Sequence, residues 1–283
     1  MTNDPEHIDD DGLILPDVGD WAGKKYRFIE TYLEIFSAGM KKKWGKRVYV
    51  DVCSGAGLAR LRDRGEIVKA SPMLAMSQKA AFDLCVFADA DKEKLDALAK
   101  RASREFPNRE IRLVQGDCNE NVRAILRSIP EDRPGSGVLT LCLVDPYKIR
   151  DIAFSTIAAL ATRRMDFLVV VPTYMDANRN LETYVQNDDD SIGGFTGAAD
   201  WRTRWMGRED EYGSFGDFVM REFARSMVSL GYLPTEMENT KVIRSSKKNL
   251  PLYHLAFFSK HKTGKKFWLE ALKYGDNQLD LFR

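Results

Sequence analysis

The sequence predicts a doubly wound α/β fold with a mostly parallel sheet. Three observations carry that prediction. Short apolar runs recur through the first two-thirds of the chain, and each is separated from the next by a stretch of helical periodicity. The runs are apolar throughout rather than alternating, the mark of strands buried on both faces. The chain has 283 residues, with 44% hydrophobic and 30% charged. That composition excludes whole-chain disorder and suits one large domain or two small ones.

The elements follow in order. Residues 1–20 are acidic, with Asp9, Asp10 and Asp11 in a row, and read as a mobile arm. From Trp21 to Trp44, Tyr26, Ile29, Leu33 and Phe36 recur at helical spacing. Arg47 to Val52 is the first strand. Ser71-Pro72 opens a helix through Phe82, with Ser71 as N-cap and Pro72 at the first helical position. Leu84 to Ala88 is the second strand and Asp91 to Phe106 a helix. Ile111 to Gln115 is the third strand, followed by a helix from Asn119 to Ile129. Val138 to Val144 and Asp166 to Val171 are the fourth and fifth strands, with a helix from Asp151 to Thr162 between them. Residues 174–214 are polar and aromatic, too long for a plain loop, and read as an inserted helical lid. Phe215 to Leu230 is helical. Tyr232 to Val242 and Leu252 to Ser259 then add a hairpin of antiparallel edge strands. Residues 21–283 are thus read as one domain.

Charge and composition narrow the function. Lys and Arg total 43 against 42 for Asp and Glu, a net charge of +1, which excludes a polybasic protein. The longest apolar runs fall well short of the roughly 18 residues of a membrane span. The acidic amino terminus is the opposite of a secretory signal. Cys53, Cys85, Cys118 and Cys142 form no close pair in sequence and read as reduced thiols of a cytoplasmic protein. His7, His254 and His261 show no ligand spacing, so a metal site and a hydrolase are poor readings.

Turns of ligand-binding type follow the strands. Asp51-Val52-Cys53-Ser54-Gly55-Ala56-Gly57 comes directly after the first, where glycines allow a tight turn and close approach of a ligand. Arg60 stands where a dinucleotide fingerprint needs its third glycine, and no Gly-Lys-Ser/Thr follows, so nicotinamide, flavin and nucleoside triphosphate are disfavoured. Asp89 ends the second strand, where a carboxylate can accept both ribose hydroxyls of an adenosine. Asp117 and Cys118, after the third strand, suit an adenine amine and ring nitrogen; capping of the next helix by Asp117 is the equal alternative. The N-terminus of the Ser71 helix can receive an anion such as a cofactor carboxylate. This order of turns fits S-adenosylmethionine better than a dinucleotide.

Asp145-Pro146-Tyr147 follows the fourth strand, across from the sulfonium end of such a cofactor. It resembles the Asp/Asn-Pro-Pro-Tyr/Phe loop of amino-methylating enzymes, with Tyr147 in place of the second Pro. That resemblance implies that Asp145 and Pro146 hold an amine while Tyr147 stacks on a base. Tyr174 is expected to line the substrate side. Residues 58–70 carry Arg60, Arg62, Arg64 and Lys69, and read equally as a solvated loop or as a segment meeting cofactor or an anionic substrate. Lys241, Arg244, Lys247, Lys248, Lys260, Lys262, Lys265 and Lys266, with Tyr253, Phe267 and Trp268 interleaved, admit a nucleic-acid face.

Taken together these residues resemble the three-Cys-motif partner protein family (TcmP). The match rests on Trp21, Lys25, Tyr32 and Leu33; Tyr49, Asp51, Ser54, Gly55 and Gly57; Ala70-Ser71-Pro72 with Leu74; Val144 to Tyr147; and the tail from Leu252 to Trp268. It departs at Cys53, Ser54 and Ala56, where the family shows Phe, Ala and Pro, and at Lys148, where Gly is usual. The family is similar in fold to class I S-adenosylmethionine-dependent methyltransferases. The resemblance implies an iron–sulfur-like partner with a three-cysteine motif, and Lys25 laid over the cofactor carboxylate. The expected function is methyl transfer, with a nucleobase or other nucleic-acid group as acceptor. The alternative is a catalytically silent methyltransferase-like module that binds the three-cysteine partner.

Overall fold

The computed structural model describes residues 7–132, 137–186, 190–208 and 213–280, the last six as backbone alone. The first strand of the sequence reading is β2 (Lys46–Asp51). With β5 (Leu84–Asp89), β6 (Ile111–Gln115), β7 (Val138–Val144) and β8 (Met165–Val171) it forms a parallel array. β10 (Pro251–Phe258) pairs antiparallel with β8, and β9 (Lys241–Arg244) antiparallel with β10. The sheet order is β6-β5-β2-β7-β8-β10-β9. The fold is therefore the predicted Rossmann-like, doubly wound α/β architecture. The chain runs outward from β2 to β6 and then restarts at β7, so the order reverses beside β2. Ligands bind at such a switch point, in the crevice outside the carboxyl ends of the strands.

Alternation along the buried strands divides the core. Val48, Val50 and Val52 point to one face with Val86, Cys142 and Val144. On that face lie α4 (Val122–Ser128), α5 (Phe154–Leu160), α6 (Leu181–Gln186), α7 (Ser191–Thr196), α8 (Trp201–Met206) and α9 (Phe215–Ser229). Tyr49, Phe87, Leu141 and Leu143 point to the other. There they meet α1 (Trp21–Met40), α2 (Ser71–Met76), α3 (Lys92–Glu105) and α10 (Lys262–Asp280). The insertion after β8 is helical as expected. It buries Trp201, Phe195 and Trp205 against Phe215, Phe218 and Phe223 of α9.

Several expectations are corrected. The amino-terminal segment is docked from Ile8 on: Ile8 packs against the core, β1 (Asp17–Val18) pairs with β3 (Leu58–Leu61), and Asp10 and Asp11 are ion-paired. Residues 1–6 lie outside the described residues. Residues 58–70 are not a loop but a hairpin, β3 with β4 (Ile67–Lys69), closed because Gly65 takes the left-handed backbone its turn needs (φ +68°). Ser71 is the first residue of α2 rather than its cap; Ala70 holds the N-cap position, and the helix ends at Met76 instead of Phe82. The helices after β6 and β7 start late, at Val122 and Phe154, because Asp117 and Asn119 tie up the preceding backbone. The strand expected from Tyr232 shrinks to Lys241–Arg244, since Tyr232 instead packs its ring against Phe167 and bonds the Met165 carbonyl.

Candidate functional site

The crevice between the ends of β2 and β7 gathers the predicted residues. On the β2 side the chain turns sharply after Asp51. The Ser54 amide donates to the Ala88 carbonyl (2.9 Å), and the Gly55 amide to Asp89 Oδ2 (2.7 Å). Gly55 (φ +66°) and Gly57 (φ +83°) are both left-handed. They serve different ends. A Cβ at Gly55 would meet nothing, so its face is open, whereas a Cβ at Gly57 would come within 2.8 Å of Leu98 on α3. Ser54 is buried, and its hydroxyl has no hydrogen-bond partner among the described residues. A buried, unsatisfied hydroxyl beside an open glycine face is what a polar ligand would complete.

Asp51 is fully buried. Its Oδ2 accepts from Ser71 Oγ (2.7 Å) and Tyr49 OH (3.2 Å), and its Oδ1 from the Cys53 amide (3.2 Å). Burial pushes the carboxyl up to about 7; the Ser71 hydroxyl opposes that, and the nearby Asp145 charge adds to it. The Ser71 hydroxyl is thus committed to Asp51. Asp89 stays half-buried at the end of β5, with Oδ1 accepting from the Asp91 amide (2.9 Å). Asp91 caps α3 through the Glu93 and Lys94 amides, as its position predicts. Asp117 is exposed and accepts from the Asn119 (2.8 Å) and Glu120 (3.3 Å) amides, which closes the turn ahead of α4; it does not cap that helix, whose N-cap position is Asn121. Cys118 is buried, with Sγ 3.8 Å from the Asp151 carbonyl.

On the β7 side, Asp145 meets a partner from the far end of the chain. Lys25 Nζ, on α1, lies 2.5 Å from Asp145 Oδ2, with both side chains largely buried. The same ammonium sits 5.0 Å from the Tyr26 ring and 5.9 Å from the Tyr253 ring. Burial alone would pull Lys25 down, but Asp145 and the two tyrosines outweigh it and hold the ammonium above its ordinary value. Burial raises the phenols of Tyr26 and Tyr253, against the pull of Lys25. Lys25 is therefore committed to the loop after β7. Pro146 is buried, while Tyr147 is 84% exposed. Asp176 fixes this loop: it accepts from the Ile149 amide (2.8 Å), Asn180 (2.7 Å) and Tyr184 OH (2.9 Å).

Tyr174 lies further along, in a π-helical turn after β8 (Thr173–Ala177). Its hydroxyl donates to Asp217 Oδ1 (3.0 Å), and its ring centroid is 5.9 Å from that of His254. His254 is buried, which lowers it to about 4 despite Asp217 at 3.7 Å. Tyr26, Asp176, Asp217 and His254 were not singled out from sequence. Tyr26 counted only as a helix-face residue, and nothing local marks the others. The four cysteines are free thiols, and among the described residues no three metal-ligating side chains gather. No described helix is long and apolar enough to cross a membrane.

No family model matches the chain, and no curated protein does. Solved structures do. Protein LPL1258 from Legionella pneumophila is 13% identical, with a TM-score of 0.45, covering 87% of this chain and 91% of that one. Magnesium protoporphyrin IX methyltransferase from Synechocystis, with bound S-adenosylhomocysteine, is 14% identical (TM-score 0.42; 86% and 88% covered). An O-methyltransferase from Bacillus cereus, in complex with the same ligand, is 12% identical (TM-score 0.44; 88% and 85%).

Proposed function

We propose that this chain is an S-adenosylmethionine-dependent methyltransferase whose acceptor is a nucleobase or another nucleic-acid group. The observation that carries the reading is the β2 turn, where the buried Ser54 hydroxyl lacks a partner next to the open face of Gly55, between Asp51 and Asp89. Those residues fit a small ligand with hydroxyl and ammonium groups. Asp89 would take the ribose through lone pairs left by its two backbone bonds, and Asp117 and Cys118 the adenine. Ser54, Gly55, Gly57 and Asp51, steadied by Ser71, would hold the methionine end. When bound, the cofactor supplies an electrophilic methyl group on a sulfonium. The chain's own task is then to orient and desolvate the acceptor. Asp145 and the Pro146 carbonyl would hold an acceptor amine, and the exposed Tyr147 ring would stack on a base.

Five basic residues of the carboxyl-terminal third divide between the two ends of the strands. Arg244, Lys247 and Lys248 follow β9 towards the crevice end. Lys260 and Lys265 instead donate to the Ala161 and Pro234 carbonyls at the opposite end. The nucleic-acid face proposed here therefore uses only the first group.

A second reading has its own observation: Lys25 already engages Asp145, the carboxylate that would serve the acceptor. That arrangement suits a silent module that binds a three-cysteine, iron–sulfur-like partner. A thermal-shift titration with S-adenosylhomocysteine, with ATP and NAD as controls, separates the two. At a hundred times its dissociation constant the ligand adds about 2.7 kcal/mol, a shift of about 5 to 10 °C for a chain of this size. A selective shift supports the cofactor reading. A well-folded sample with no shift sinks it, and co-purification with the three-cysteine partner becomes the next test.

A further inference from the structure

The acidic amino-terminal segment reaches the cofactor turn through one buried arginine. Arg101, on α3, is fully buried. It takes Asp11 in a two-pronged grip, Nε to Oδ2 at 2.9 Å and Nη2 to Oδ1 at 2.7 Å. Its remaining nitrogen, Nη1, donates to the Ile14 carbonyl (3.1 Å) and to the Ala56 carbonyl (2.6 Å). Ala56 lies between the two left-handed glycines of the turn. Arg104 adds a second cation to Asp11 at 3.0 Å. These arginines hold the Asp11 carboxyl well below the usual carboxylate range. The segment is also zipped to the hairpin that leaves the turn. Arg60 N donates to the Pro16 carbonyl and Arg62 N to the Val18 carbonyl, both at 2.9 Å.

We propose that residues 10–18 are a strap that sets the cofactor turn: Asp11 orients Arg101, and Arg101 fixes the Ala56 carbonyl, so ligand affinity at Ser54–Gly57 depends on a carboxylate that never touches the ligand. The reason lies in the guanidinium geometry. Its donors are fixed in one plane, so a partner that locks two of them aims the third. Without Asp11 the buried charge must find other acceptors, and the Ala56 carbonyl loses its directed donor. Leu98, three residues before Arg101 on the same helix, touches the turn at Gly57. The turn therefore rests on α3 at two points, one apolar and one polar. Asp11 and Arg101 are positioning residues in this scheme.

The proposal rests on the cofactor reading for its ligand, but not for its first test. Amide hydrogen exchange at Ser54, Gly55, Ala56 and Gly57 is compared between the wild-type chain and Asp11→Asn, both without ligand. Strand β8 serves as the internal reference. Asn keeps the size and one acceptor, so the variant is conservative. Faster exchange confined to the turn is expected, together with a dissociation constant for S-adenosylhomocysteine raised about tenfold, in line with one charged hydrogen bond. Asp11→Glu should restore part of both effects. Asp96→Asn, which removes the exposed pair with Lys92 on the same helix as Arg101, should leave both unchanged. Turn exchange equal to wild type, or a uniform rise that includes β8, overturns the strap. If turn exchange quickens but the wild-type chain binds no S-adenosylhomocysteine, the cofactor reading fails and the strap stands.

Discussion

On the β2 side of the crevice, each carboxylate takes a backbone amide two residues on, Asp51 from Cys53, Asp89 from Asp91 and Asp117 from Asn119, and only Ser71 to Asp51 and Gly55 to Asp89 reach far along the chain. On the β7 side the bonds join side chains, or a side chain and an amide, from distant elements: Lys25 with Asp145, Asp176 with Ile149, Tyr174 with Asp217. The first side is a set of turns that the local chain can specify, with α3 and the amino-terminal segment holding it from behind. The second exists only once α1, β7, the insertion and β10 have come together. One side should therefore be robust to change elsewhere in the fold and the other sensitive to it.

The Lys25–Asp145 pair should produce the largest effect. Lys25→Met leaves Asp145 largely buried without its cation, and breaking such a pair costs about 3–5 kcal/mol. Asp145→Asn should cost a comparable amount, and the double variant clearly less than the sum. Denaturant unfolding of the cycle measures this. A cost under about 1 kcal/mol would place the pair with surface ion pairs and erase the contrast between the two sides.

Two buried carboxylates sharpen the comparison through pH. Asp51 sits in the crevice, and Asp166 lies near the start of β8, at the opposite end of the strands; burial raises each from 3.8 to about 7. In the folded chain both stay protonated up to about pH 7, whereas in the unfolded chain both ionise above 3.8. The folded state therefore binds more protons in that window, and each group lowers stability as pH rises from about 4 through 7. Linkage puts the loss at no more than about 4 kcal/mol per group. Asp51→Asn and Asp166→Asn should each flatten part of the stability–pH curve. Only the Asp51 change should also flatten the pH dependence of S-adenosylhomocysteine affinity. Equal effects of the two variants on affinity would remove Asp51 from the site.

Asp89→Ala probes the local side alone. It removes the acceptor of the Gly55 amide and the expected ribose ligand, so affinity for S-adenosylhomocysteine should fall by about 30- to 100-fold, as for a charged hydrogen-bonding group. The melting temperature without ligand should change little, because Asp89 is only half-buried. Titration calorimetry reads the first and a thermal scan the second; unchanged affinity would take the ribose role from Asp89.

The same contrast explains what the sequence disclosed. The parallel strands announced themselves as apolar runs, and the turns after them as glycines and acids at strand ends, because a turn's requirements fall within a few residues. The start of the helix at Asp91 was legible for that reason. The hairpin over residues 58–70 was not, since its three-stranded sheet needs Asp17 and Val18 from beyond α1. The acidic arm looked free because Arg101, its buried partner, lies 90 residues away on α3. Tyr26 and Tyr253 gave only helical spacing and a basic context, so the aromatic surround of Lys25 was hidden.

Tyr147 should produce the smallest effect on the fold and the most selective effect on function. At 84% exposure its ring adds almost nothing to the core, and the Lys148 ammonium sits 5.9 Å from the centroid. Tyr147→Ala should thus change unfolding free energy by less than about 0.5 kcal/mol. It should also leave S-adenosylhomocysteine affinity alone, because the ring belongs to the acceptor loop rather than the β2 turn. A base stacked on an aromatic ring gains about 1–3 kcal/mol, so affinity for a short single-stranded oligonucleotide should drop about 5- to 150-fold. Tyr147→Phe keeps the ring and should retain the affinity. Fluorescence anisotropy with a labelled oligonucleotide, read beside the denaturation curves, checks all three expectations. If Tyr147→Ala binds the oligonucleotide as wild type does, no stacking platform exists at this loop and the acceptor must be sought outside nucleic acids. If the alanine variant instead loses stability, the exposed ring is part of the long-range packing that builds the β7 side, and that side extends further than the Lys25–Asp145 pair.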